Sequence, residues 1–354
     1  MPESTADADV RLRKEWFDLL RQTAKTGLAR GGVLDPVIAV KRRMLPHLNA
    51  VQDVPGPYQI PQGVKVVRTV EEADAMLAHF DEAFATSDDA AREAFRQYHM
   101  VLDADLPDDP FSPEYRQRIL DLYEWMHGKP YAPTNEVTEL DIDSALRTPF
   151  PYLTRSTATV GQHLMIVGHA IRSMDLPPDS KVLEFGPGWG NIAEALSRMG
   201  HEMTVVDIEP HFLELIRRRI EMAGRSITTV QGDFGTVTEL EEQFDAVVFF
   251  ECFHHCLDHV QLLQELQRVV KPGGRIYLAA EPVNDAFPFP WGPRLDGESV
   301  WAIRRNGWLE LGFQERYLFD ALERTGWEGR RVSFDEMPFA SVYVVERPGE
   351  ASTD

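Results

Sequence analysis

Residues 180–191 read Ser-Lys-Val-Leu-Glu-Phe-Gly-Pro-Gly-Trp-Gly-Asn. The stretch 181–185 is a short apolar strand. The glycines after it permit a tight turn and a close approach of ligand to backbone. The helix that opens next presents free amide groups to an anion or polar ligand. Downstream, the chain keeps alternating. Strands are expected at 202–207, 227–230, 244–250 and 275–280. Helices fall at 189–199, 210–222, 259–270 and 314–325, with two last strands at 329–334 and 339–346. Residues 244–250, apolar apart from Asp245, run without alternation, as in a strand buried on both faces. Strand–helix alternation with short connections implies a doubly wound α/β fold, a parallel sheet covered on both sides. Ligands in such sheets bind outside the carboxyl ends of the strands, where the strand order reverses.

A second mark accompanies the glycine turn. Asp207 closes the next strand, 23 positions after Glu184. A carboxylate about 20 residues on suits a ribose, because it accepts hydrogen bonds from two vicinal hydroxyls. Together the two marks imply a nucleoside-containing cofactor. Taken alone, Asp207 also suits a helix cap ahead of Pro210.

The glycines stand at 186, 188 and 190, so the spacing is Gly-x-Gly-x-Gly, not the Gly-x-Gly-x-x-Gly of dinucleotide enzymes. Preceded by Glu184, this pattern resembles motif I of the class I S-adenosylmethionine-dependent methyltransferases. Val205-Val-Asp207, Gln231-Gly-Asp233-Phe234, the run from Phe244 through Glu251, and Leu266 through Lys271-Pro-Gly-Gly274 follow the same family order. The resemblance covers about 150–346. It implies a Rossmann-like, seven-stranded doubly wound sheet and S-adenosylmethionine as cofactor, with S-adenosylhomocysteine as product. It implies that Gly186, Gly188 and Gly190 line the methionine part and that Glu184 positions the amino acid end. Asp207 would hold the ribose hydroxyls and Ile208 would pack on the adenine. Asp233 would accept from the adenine amine, with Phe234 beside it, and Glu251 would lie near the sulfonium. Tyr152, Arg155 and His163 fall where family members close over the cofactor. Trp189 either shields the cofactor or packs on the sheet.

The sulfonium is already activated, so the enzyme has to align a nucleophile with the methyl group and exclude water. A hydroxyl nucleophile gains from a base, and histidine titrates in the useful range. Glu251-Cys-Phe-His-His-Cys-Leu-Asp-His259 supplies candidates at the right strand end. His254 and His255 are read as catalytic, one acting as base or orienting group, against the alternative that one only packs or caps a helix. Cys252, His255, Cys256 and His259 include two i, i+4 pairs, but they cross from loop to helix, and no metal is assigned. A hard cation held by Glu251, Asp258 or Glu281 is a lesser reading.

Residues 282–313 interrupt the alternation with Phe287, Phe289, Trp291, Trp301 and Trp308, interleaved with Arg294, Arg304 and Arg305. Such a segment reads as a substrate loop, with Trp291 facing a ring and Arg294 an anionic group. Otherwise it is a helix over 298–311 stapled by its tryptophans. Residues 1–145 are mainly helical, with helices at 11–29, 36–48, 69–84, 90–102 and 112–126 and a strand near 64–70. This region is read as a lid, a second pocket wall or a homodimer interface, and the methyltransferase domain as 146–354.

The chain has 354 residues, 36 Lys and Arg against 57 Asp and Glu, and a formal net charge of −21. That balance argues against nucleic acid and anionic membranes as partners. The acidic start, the lack of a long apolar run and the presence of only two cysteines point to a cytoplasmic protein. The expected function is S-adenosylmethionine-dependent methylation of a small molecule or carbohydrate, with oxygen favoured as acceptor. The alternatives are carbon or nitrogen transfer, or a regulatory protein that binds the cofactor without turnover.

Overall fold

The computed structural model describes residues 60–137, 140–147 and 156–349. The helices expected at 11–29 and 36–48, together with Tyr152 and Arg155, lie outside them.

Seven strands form the central sheet: β3 (Lys181–Phe185), β4 (Glu202–Asp207), β5 (Thr228–Gln231), β6 (Phe244–Phe250), β7 (Val270–Ala279), β10 (Glu328–Val332) and β11 (Val342–Glu346). Their order is β10-β11-β7-β6-β3-β4-β5. The order reverses beside β3, whose neighbours are β4 on one side and β6 on the other. The strands β7, β6, β3, β4 and β5 run parallel. The sheet is mixed, not wholly parallel, because β11 lies antiparallel between β7 and β10. Only residues 333–341 join β10 to β11, too few for the helical crossover that a parallel pair needs.

Strand residues alternate between two buried clusters, as a pleated sheet requires. Val182, Val205, Ala246, Val248 and Val344 face the helices α5 (Thr157–Met174), α6 (Asn191–Met199) and α7 (Pro210–Met222). Leu183, Val206, Val247, Phe249 and Val345 face the other way, toward α8 (His259–Val269) and α10 (Glu315–Arg324).

That second cluster continues into the N-terminal part. Helices α1 (Val70–Thr86), α2 (Asp88–Arg96) and α3 (Pro113–His127) pack on the insertion, which holds the hairpin strands β8 (Trp291–Pro293) and β9 (Leu311–Phe313) and the helix α9 (Gly297–Asn306). A capping box between Thr69 and Glu72 starts α1, and Pro113 opens α3 behind the Ser112 cap. The helix expected over 90–102 ends at Arg96. Residues Tyr98–Met100 form β2 instead, paired in parallel with β1 (Lys65–Val67), so tertiary pairing overrides the helical pattern there.

Trp291, Trp301 and Trp308 are all buried. Trp301 packs on Phe84 and Phe95. The hydroxyl of Tyr115 donates to the Trp291 carbonyl, and that of Tyr123 to the Gly307 carbonyl, at 2.8 and 2.5 Å. Gly297 sits so close to α2 that a Cβ would lie 2.5 Å from the Phe95 carbonyl oxygen. Because that neighbour is backbone, Gly297→Ala is expected to lower stability by about 1–3 kcal/mol in chemical denaturation. An unchanged midpoint would show that this interface yields freely.

Candidate active site

The turn after β3 and the stretch after β6 meet at the point where the strand order reverses. Gly186, Gly188 and Gly190 have φ of +55°, +52° and +70°, a region that side chains rarely adopt. A Cβ on Gly186 would lie 2.8 Å from Cβ of Cys252, and one on Gly190 would strike Ile216 of α7. At Gly188 the space is open. The first and third glycines thus allow close packing, and the second leaves room beside the backbone. Cys252 Sγ donates to the Phe185 carbonyl at 2.9 Å, locking the two edges together.

Asp207 is buried at the end of β4. It accepts from the amides of Gly188 and Glu209 at 3.3 and 2.9 Å. The cap of α7 is Glu209, which accepts from His211 N, so Asp207 is not the helix cap. Glu184 is fully buried, and its Oε2 has no hydrogen-bond partner. Burial pushes its carboxyl up to about 8, and the nearby Asp207 charge adds to the shift. The Asn191 Oδ1, at the start of α6, likewise lacks a donor. The Asn191 amide nitrogen lies 2.7 Å from Nε2 of His163, whose ring burial holds well below the usual histidine range, at about 4. Asp233 is exposed past β5 and accepts from Gly235 N at 2.8 Å. Ile208 is half-buried there, and Phe234 packs on Phe185 and Phe249. Trp189 is buried among Phe212, Leu215 and Ala145, the last on the short helix α4 (Ile142–Arg147).

Beyond β6, Glu251 takes φ +52°, and beyond β7, Ala280 takes φ +56°. Non-glycine residues held in this region mark a backbone that surrounding structure over-determines, as at many functional sites. The result is the placement of Glu281. Its carboxylate accepts from the amides of Cys252, Phe253 and His254 at 2.9, 2.9 and 3.1 Å. It also lies 2.7 Å from Nδ1 of His254. Burial pushes its carboxyl up to about 7.

The histidines sit side by side, ring centroids 4.2 Å apart, both buried. His254 Nε2 is 3.7 Å from Glu310, and His255 Nδ1 is 3.4 Å from Glu136. Glu310 follows α9, and Glu136 closes a short 3-10 turn, where it also accepts from Leu309 N. Both carboxylates are buried.

The two expected substrate contacts are both buried. Trp291 belongs to the core: it stacks on Tyr317, meets His259 edge-on and Tyr115 at a tilt, and its indole donates to the Pro110 carbonyl. Arg294 is buried and bound by Asp296 at 2.9 Å and Glu310 at 3.4 Å. The four-residue zinc set does not converge. Cys252 bonds to Phe185, and His259 to Tyr317 OH and the Cys256 carbonyl. Among the described residues, the group that does converge with metal-ligand geometry is His254, His255 and Glu310. Asp258 is instead exposed and paired with Arg116.

Residues 183–278 match the family profile described as a Methyltransferase domain. That segment thus carries a methyltransferase domain. The chain is 29% identical over 103 residues to the Ubiquinone biosynthesis O-methyltransferase of Xanthomonas campestris pv. campestris (strain B100), across 29% of this chain and 43% of that protein. It is 34% identical over 103 residues to the protein of the same name from Methylocella silvestris, across 28% and 39%. The chain therefore spans less than half the length of these curated relatives. Among solved structures, the 1,6-didemethyltoxoflavin-N1-methyltransferase of Burkholderia thailandensis overlaps with a TM-score of 0.41 and 20% identity, across 62% of this chain and 91% of that one.

The turn fits the family's cofactor. Two buried acceptors without donors, Glu184 Oε2 and Asn191 Oδ1, suit the ammonium of the methionine end. The sign of the linkage follows. Below about pH 8 the folded chain keeps Glu184 protonated, whereas an ordinary glutamate titrates near 4.5. Its contribution to stability is full below 4.5 and falls as pH rises toward 8. An ammonium beside it favours the ionised form. Binding S-adenosylmethionine at pH 7 is therefore expected to discharge a proton from Glu184, read by calorimetry in buffers of different ionisation enthalpy. Identical proton counts for the natural chain and Glu184→Gln would rule this out.

Proposed function

We propose that this protein transfers a methyl group from S-adenosylmethionine to a small molecule or carbohydrate, with an oxygen as acceptor. The observation that carries the reading is the junction of two edges. The glycine turn with Asp207 lies directly against the stretch that bears His254 and His255. The cofactor supplies an activated methyl group when bound. The chain's own part is to bind it, orient the acceptor and keep water away.

Glu184 and Asn191 hold the amino acid end, Asp207 the ribose, and Ile208 and Asp233 the adenine. Glu251 stands nearest the reacting centre, fixed by its left-handed backbone. The histidine pair receives the acceptor as base or orienting group. Glu281 is a positioning residue: its bond to Nδ1 of His254 selects one tautomer and one ring orientation. The names of the curated relatives support oxygen as acceptor.

Asp207→Ala is expected to weaken S-adenosylmethionine binding by about 100-fold or more, the scale of two charge-assisted hydrogen bonds. Unchanged affinity by calorimetry would refute the cofactor site. A labelled-methyl assay on cell extracts tests turnover. Labelled small products that release their methyl group on base hydrolysis as esters, or on cleavage with hydriodic acid as ethers, support oxygen transfer. Label on nitrogen or carbon corrects the acceptor atom, and binding without any product supports a regulatory role. Alanine at both histidines should lower turnover by about 100-fold while cofactor affinity stays within a few-fold.

A further inference from the structure

Around the histidine pair, three parts of the chain bring buried carboxylates to one place. Glu136 comes from the N-terminal part, Glu281 from the end of β7 and Glu310 from the insertion. Glu310 pairs with the buried guanidinium of Arg294, which Asp296 also engages, while Glu281 and Glu136 face His254 and His255. Buried charges persist when they are paired or coordinate metals.

The ligand geometry points the same way. One ligand atom from each of His254, His255 and Glu310 lies within 4.8 Å of the other two. Ligand bonds to zinc run about 2.0–2.2 Å, so small side-chain adjustments close the set around an ion. His254 turns Nε2 toward Glu310, while Glu281 holds its Nδ1. A carboxylate on the far ring nitrogen is the arrangement that orients metal-bound imidazoles and raises their basicity. Arg294, itself bound to Asp296, steadies Glu310 in the same way.

We propose that His254, His255 and Glu310 bind one divalent first-row transition metal ion, with Glu281 and Arg294 as outer supports. Two imidazoles and one carboxylate suit zinc and its neighbours, and they do not suit magnesium or calcium, which take oxygen ligands. Three protein ligands leave a fourth position open. Resting on the proposed methyl transfer, that position is where an acceptor oxygen would sit, so the histidines would orient the acceptor through the ion.

The test uses the full chain, stripped with a chelator and dialysed, then titrated separately with Zn2+, Co2+ and Mg2+. One Zn2+ per chain is expected, with a visible Co2+ spectrum of low-symmetry coordination and at least ~100-fold weaker Mg2+ binding. His255→Ala and Glu310→Gln should weaken Zn2+ at least ~100-fold, and Glu281→Gln about 10–100-fold. His211→Ala, on the exposed face of α7, should change nothing. Circular dichroism and S-adenosylmethionine binding report whether each variant folds. Should the variants fail to fold, the natural chain decides: no saturable Zn2+ site up to about 100 μM overturns the proposal. Mg2+ binding as tight as Zn2+, or Zn2+ binding untouched in a folded Glu310→Gln chain, does so too. Methyl transfer that fails while Zn2+ still binds rejects the function and keeps the site. Transfer that persists at full rate in the stripped chain overturns the ion's part in holding the acceptor.

Discussion

The carboxylate of Glu281 receives three consecutive backbone amides and one imidazole nitrogen. Four donors on one buried side chain fix the path of the chain after β6. That path sets Glu251 in its left-handed conformation, puts Cys252 against the glycine turn and sets the two histidines side by side. Burial alone disfavours a charge here, as the upward push on Glu281 shows. The three amides act in the opposite sense and hold the group in one geometry. The edges of β3, β6 and β7 thus share one polar anchor inside an otherwise apolar core.

Much of this was legible in the sequence because it rests on local rules. Short apolar stretches such as Val182-Leu183, Val205-Val206 and Ala246 to Phe250 mark the strands, and glycine at 186, 188 and 190 meets a steric demand that only glycine satisfies at low cost. The capping box at Thr69 and the proline at 113 are likewise local signals. What escaped depends on contacts across long stretches of chain. Trp291 and Arg294 have the residue types of a binding loop. Their partners, Pro110, Tyr115, Asp296 and Glu310, were set by packing that no local pattern reveals. Glu310 did carry one signal: it is a lone acid inside the apolar run from Trp308 to Phe313, and a carboxylate placed so is seldom buried without a partner. Glu136 carried none.

The net charge takes on a more definite meaning. Arg304 and Arg305 of α9 bind Asp74 and Asp81 of α1, and Arg294 binds Asp296 and Glu310. The arginines of the insertion are therefore engaged by the chain's own acids and serve the interface with the N-terminal helices. Exposed pairs of this kind contribute little each. The tryptophans beneath them and the close approach at Gly297 bind that interface more firmly.

The bond from Leu309 N to Glu136 spans 173 positions. The groups around the histidine pair thus come from nearly half the chain's length. Contacts so distant in sequence are reached only after the chain has lost most of its freedom, and they slow the approach to the native state. During synthesis, the glycine turn and β3 to β6 have their local partners well before residue 310 has been made. A cofactor-shaped edge can form early, whereas the polar cluster beside it closes last. Closure of the cluster around the histidines therefore reports that the chain from the turn at Glu136 to the insertion is in place.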